Sequence, residues 1–116
     1  MSSPVRITYD PEGDILYVTF GSPTPSTGYQ ISDQVLLRVR PQTRQAAGLT
    51  ILNFSVHARS RSPILLSEPK GDLMASVDVL GILRSAPVNR FLRLSEDERG
   101  LFATILQPAL DEAVAA

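Results

Sequence analysis

Two short β-prone runs, Val5-Arg6-Ile7-Thr8-Tyr9 and Ile15-Leu16-Tyr17-Val18-Thr19-Phe20, flank the segment Asp10-Pro11-Glu12-Gly13-Asp14. Pro11 suits the first central position of a type I turn, the Asp10 carboxylate can accept from the backbone two residues on, and Gly13 can adopt a positive φ. A β-hairpin is therefore predicted, and its turn chemistry limits the chain to folds with an antiparallel sheet at the N-terminus. With Pro11-Glu12-Gly13 as the loop, Tyr9, Ile7 and Val5 face Ile15, Tyr17 and Thr19, and Tyr9 and Tyr17 share one face.

Further strands follow the hairpin. The run 21–28 is a loop by composition, Tyr29–Ile31 and Val35–Arg40 are extended, and Leu49–Phe54 reads as the fourth strand. The expected fold is α+β, a four-stranded antiparallel β-meander followed by a C-terminal helical extension. Ser95 with Glu98 three residues later has the spacing of a capping box, and Leu101, Phe102, Ile105, Leu106, Leu110 and Val114 fall on one helical face, with a break expected at Pro108. A shorter helix is expected from an Asp72 cap through Leu73, Val77 and Leu80 to a stop at Ser85-Ala86-Pro87. One domain, 1–116, is expected, with a meander core over 5–56, a mixed connecting segment over 57–94 and a helix over 95–116.

In the predicted register both faces of the sheet carry large apolar groups, whereas a free antiparallel sheet alternates apolar and polar residues. Something must then cover both sides. The C-terminal helix can cover one side, and the other falls to the middle segment or to another copy of the chain; on this ground a homo-oligomer, most simply a dimer, is expected.

Composition excludes several chemistries. Across 116 residues there is no cysteine, so disulfides, thiolate catalysis and thiolate-bound metal are ruled out. A net charge of −1 supplies no field for nucleic acid or an anionic membrane, and no stretch reaches spanning length. A cytoplasmic protein is expected.

Candidate site residues are few. Asp10, Glu12 and Asp14 alternate, but Ile15 stands where a calcium loop needs glycine, so no metal and no cofactor are expected. His57 is the sole histidine, placed at the end of the fourth strand, and no Gly-x-Ser-x-Gly elbow accompanies it. Arg59 and Arg61 beside it could take a phosphate or an acidic partner, and Tyr9 and Tyr17 could line a ligand groove. These five residues, Tyr9, Tyr17, His57, Arg59 and Arg61, form the candidate ligand-binding set, and none is assigned a catalytic role.

The run Tyr9-Asp10 with Glu12, Asp14, Leu16 and Tyr17, then Ile31, Val35-Leu36-Leu37 and Gly48-Leu49-Thr50-Ile51-Leu52-Asn53, resembles the bacterial domain-of-unknown-function family numbered twenty-two eighty-three. The resemblance covers residues 5 to 56. It implies a small antiparallel β domain without an established activity, and a partner-binding role of the antitoxin kind. Arg38, Arg40, Pro41 and Arg44 depart from the acidic, glycine-bearing pattern of the family there. The reading that follows is a non-enzymatic, self-associating protein-interaction module, with a protein partner. The alternative is a small-molecule binder or hydrolase using Tyr9, Tyr17, His57 and nearby acids.

Overall fold

A computed structural model describes residues 4–22, 24–60, 62–71, 76–108 and 110–115. Five strands build the first sheet: β1 (Val5–Asp10), β2 (Ile15–Phe20), β3 (Thr27–Gln30), β4 (Val35–Val39) and β5 (Ala46–Leu52). Helix α1 (Phe54–Ser60), strand β6 (Ile64–Ser67), helix α2 (Val77–Arg84), a single 3-10 turn (Val88–Arg90), strands β7 (Leu92–Asp97) and β8 (Gly100–Ile105), and helix α3 (Leu110–Ala115) complete the chain.

The architecture is α+β and antiparallel, as expected, but it is not a four-stranded meander. The first sheet has the order β1-β2-β5-β4-β3, and a second, three-stranded sheet has the order β6-β8-β7. The run 29–40 is divided by a turn in which the Ile31 and Ser32 amides both donate to the Val35 carbonyl, which creates the extra strand. The Pro- and Ser-rich loop after β2 then carries the chain to the far edge. That leaves β5 to return between β2 and β4, pairing Val18 with Leu49 and Leu37 with Leu49 on its two sides.

The hairpin register also differs from expectation by one residue. Asp10 pairs with Ile15, Tyr9 with Leu16, Ile7 with Val18 and Val5 with Phe20, so the loop is the four residues 11–14. Asp14, at φ 55°, takes the left-handed position, a conformation Asp tolerates better than most residues, and Gly13 has no positive φ. Because side chains alternate along a strand, this single step sorts the faces. Ile7, Tyr9, Leu16, Val18 and Phe20 now share a side with Val35, Leu37, Val39, Leu49 and Ile51, and most of these are fully buried. The opposite side carries Arg6, Thr8, Tyr17, Thr19, Arg38 and Thr50, with Ile15, Leu36 and Leu52 half-buried among them. One face is apolar and the other mixed, so the argument for a second apolar cover disappears.

The apolar face is covered by the C-terminal half of the chain. Ile64 and Leu66 of β6, Val79 and Leu83 of α2, and Val88, Phe91, Leu92, Leu101 and Ala103 join the first sheet in one buried cluster, where the Phe20 and Phe91 rings lie 5.6 Å apart between centroids. Residues 95–105 are therefore not a helix. Leu92 and Leu94 alternate with Arg93 and Ser95, and Leu101, Ala103 and Ile105 with Phe102 and Thr104, so strand periodicity fits the segment as well as helical spacing does. The decision falls at the turn: the Asp97 carboxylate accepts from the Arg99 amide at 2.7 Å, and Gly100 sits at φ 138°. The Ser95 and Glu98 pattern thus belongs to a hairpin, and the C-terminal helix is confined to α3, beyond Pro108. Within the connecting segment α2 does end at Ser85, while its expected start at Asp72 and Leu73 lies outside the described residues. Among the described residues no helix is long and apolar enough to cross a membrane.

A Cβ at Gly100 would collide with the Ser67 carbonyl oxygen and sit 3.3 Å from the Glu68 Cα, against the backbone of the neighbouring strand. Gly100→Ala is expected to cost at least about 3 kcal/mol. At Gly13 the nearest atoms are the ends of movable side chains, Asp10 Oδ2 at 3.0 Å and Ile15 Cδ1 at 3.1 Å. Gly13→Ala is expected to cost under about 1 kcal/mol. Urea denaturation midpoints of the two variants measure the contrast.

Candidate functional site

The β1–β2 turn and the start of α1 meet through Asp14. Its carbonyl accepts from the Phe54 amide at 3.0 Å, its Oδ1 from the Ser55 amide at 2.9 Å, and its Oδ2 from the Ser55 hydroxyl at 2.6 Å. The first amides of a helix have no partner within it, so Asp14 caps α1 from 41 residues away. Asn53, at φ 53°, turns the chain out of β5 and into the helix, and its carbonyl accepts the His57 amide. The strand expected to run to Phe54 therefore ends at Leu52, and His57 lies on a helix rather than at a strand end.

Tyr9 completes this network by donating its hydroxyl to Asp14 Oδ1 at 2.6 Å, with its ring edge-on to Phe54 at 5.7 Å. Burial alone would raise the Asp14 pKa. The Ser55 and Tyr9 hydroxyls, the Ser55 amide and the Arg59 charge outweigh it and hold the carboxyl below its usual range. The hydrogen bond to Asp14, burial and the Asp14 charge push the Tyr9 phenol upward. Asp10 keeps its expected role, accepting the Glu12 amide at 3.1 Å.

On the adjacent side of α1, His57 Nε2 lies 3.3 Å from Gln34 Oε1, which also accepts from Asn53 Nδ2 at 2.7 Å. Burial depresses the His57 pKa, opposed by the negative charge of Asp14, so the imidazole is neutral near pH 7. Ser55 directs its hydroxyl proton to Asp14, and His57 bonds to Gln34. The hydroxyl and imidazole are thus engaged separately, each with its own partner, and a Ser-His-acid relay is not assembled. Among the described residues no group of three or more His, Cys, Asp or Glu side chains could hold a metal ion.

His57 and Gln34 stand at one wall of a groove of about 650 Å³. The facing wall is β6 with Glu68 just beyond it, lined continuously from Ile64 to Glu68. Five consecutive residues include side chains that point to both faces of the strand, so the groove follows its edge. Among the described residues that edge is unpaired, because β6 bonds there only to β8. Leu65, 45% exposed, and Val56, 59% exposed, supply apolar surface, and among the described residues the charged side chains on this rim are Asp33 and Glu68.

Of the expected site residues, Tyr9 and Arg59 converge electrostatically on Asp14, and His57 lies beside them on α1. Tyr17 does not join them: it pairs with Thr8 on the opposite face of the sheet, so the expectation that the two tyrosines share a face is overturned by the register. Arg61 lies outside the described residues. Asp14, Ser55 and Gln34 were not in the expected set. Asp14 reads as a solvated turn residue unless its partner 41 residues on is known, and the Ser55 signal, a hydroxyl near a helix start, is hidden by the strand-like run before it.

Residues 6–55 match a family described as Protein of unknown function (DUF2283). No curated protein and no solved structure matches the chain.

Asp14→Ala is expected to lose about 2 kcal/mol, since it removes the cap of α1 and places alanine at a positive φ. Asp14→Asn should lose less, because Asn tolerates that φ and keeps one acceptor. The folded pKa of Asp14 is lowered, so its contribution is complete above the usual carboxylate value near 3.8 and is lost as pH falls through the folded value. The advantage of the wild type over Asp14→Asn should accordingly shrink below about pH 4. His57 titrates in the same sense: its folded pKa lies below the usual 6.5, the unfolded chain takes up the proton first, and stability falls as pH drops below that value. His57→Gln should flatten this slope in denaturation midpoints measured from about pH 7.5 to 5.

Proposed function

We propose that the chain is a non-enzymatic protein-interaction module that seats an extended segment of another protein along the free edge of β6. The observation that carries this reading is the groove following that edge. A strand edge offers a row of backbone donors and acceptors, and an added strand satisfies them while neighbouring apolar surface selects side chains. Leu65 and Val56 are placed to receive alternate apolar residues of such a segment. Asp33 and Glu68 favour lysine or arginine at its flanks.

Self-association and an antitoxin-like role are the narrower forms of this proposal. The two-faced apolar sheet no longer argues for a dimer, and the remaining support is the β6 edge, which a second copy would present equally for a symmetric strand pairing. An antitoxin-like role would place a toxin segment in the same groove.

Selection of peptides from a random display library tests the reading. Bound peptides are expected to carry alternating large apolar residues with basic flanks, and Leu65→Glu or Val56→Glu should weaken them by about tenfold or more. Both side chains are exposed, so the melting temperature should stay unchanged. Sedimentation over a range of concentrations tests the dimer, which Leu65→Glu should also abolish. Peptides that bind both variants as well as the wild type would overturn the assignment of the groove.

A further inference from the structure

A second hollow, of about 500 Å³, lies between the loop after β4 and helix α2, away from the groove. Arg40 stands in its wall, half-buried. Its Nη1 donates to the Ala46 carbonyl at 3.0 Å, and its Nη2 to the carbonyls of Phe20 at 2.6 Å and Ser22 at 3.2 Å. A guanidinium has five N–H donors, so after these three bonds two, the Nε–H and one on Nη1, have no partner among the described residues. The acceptors are neutral carbonyl oxygens, which fix the guanidinium plane without cancelling its charge.

The ion pairs among the described residues are Arg44–Asp78, Arg84–Glu96 and Arg99–Asp97, so Arg40 has no carboxylate partner there. Arg44, in the same wall, is engaged by Asp78 and by the Tyr29 hydroxyl. The hollow therefore holds two guanidinium charges against one carboxylate. Phe20, Ile82 and Pro87 form its apolar side. A partly desolvated positive charge, held in a fixed plane with two donors left and set beside an apolar wall, is complementary to an anion with an apolar body.

We propose that this hollow binds a small organic anion. Its carboxylate or phosphate head bonds to the Nε–H of Arg40, and its body packs on Phe20, Ile82 and Pro87. This inference is independent of the β6 groove, and either can fail without the other.

The test is an NMR titration of the nitrogen-15-labelled full chain, following the Arg40 Nε–Hε resonance and the Gly81 amide. Phenyl phosphate and phenylacetate are the two arms that separate the head groups, with inorganic phosphate as the probe that lacks an apolar body. Saturable shifts at both positions are expected with at least one aromatic anion. Inorganic phosphate should bind about tenfold more weakly or worse, and added salt should weaken all of them.

Arg40→Gln should abolish the saturation, but Arg40 also ties two loops together and that variant can fail to fold. Gly81→Leu separates the two effects. Gly81 lines the hollow, and a Cβ built there meets nothing within 4 Å, so leucine should occupy the ligand space and leave the fold intact. Loss of binding in Gly81→Leu at an unchanged or higher melting temperature supports the site. The absence of saturation with both aromatic anions, equal shifts at every arginine, or undiminished binding by Gly81→Leu would overturn it.

Discussion

The carboxylate of Asp14 ties the first turn of the chain to the first turn of α1. The residue does three things at once. Its left-handed backbone sets the hairpin loop at four residues, its carbonyl and carboxylate cap α1, and its carboxylate holds the Tyr9 hydroxyl. The loop length in turn fixes which side chains of β1 and β2 face inward. A one-residue slip would turn Leu16, Val18 and Phe20 to solvent, so the inner face of the sheet and the position of α1 depend on the same residue. The placement of His57 and of the wall opposite β6 follows from where α1 begins.

How much of this was legible in the sequence differs from element to element. The first hairpin was readable because Asp10, Pro11 and Gly13 are turn residues with defined mechanisms, and the Asp10 bond to the Glu12 amide is where turn chemistry puts it. Its register was not, because the choice between Gly13 and Asp14 for the left-handed position rests on a contact with Ser55, far along the chain. Glycine's freedom made it the natural expectation. The second hairpin was hidden for a different reason. Leu101, Ile105 and their neighbours satisfy helical and strand periods together, and the turn at Gly100 is imposed by the close approach of Ser67 and Glu68 from β6. Local signals cannot report either contact.

The candidate sites show the same division. His57 was visible as the sole titratable imidazole, whereas its partner Gln34 lies in a turn with no distinguishing local pattern. The groove along β6 depends on two sheets coming together. The pocket at Arg40 depends on the end of β2, the loop after it and the start of β5 offering three carbonyls to one side chain. Each of these features is a product of tertiary contact, and the residue types involved are common in any chain of this composition.

The family match ends on Ser55, the residue that Asp14 holds, so the matched span contains both halves of that tie and nearly all of the first sheet. It contains none of the layer that covers the inner face of that sheet. In this chain β6, α2 and the second hairpin serve as a tethered partner, and tethering keeps the covering layer at a high effective concentration regardless of how dilute the protein is. A protein built from the matched span alone would have to obtain the same layer by association. The fold can thus be seen as a complex written into one chain, in which the contact between Phe20 and Phe91 is an internal counterpart of an intermolecular interface.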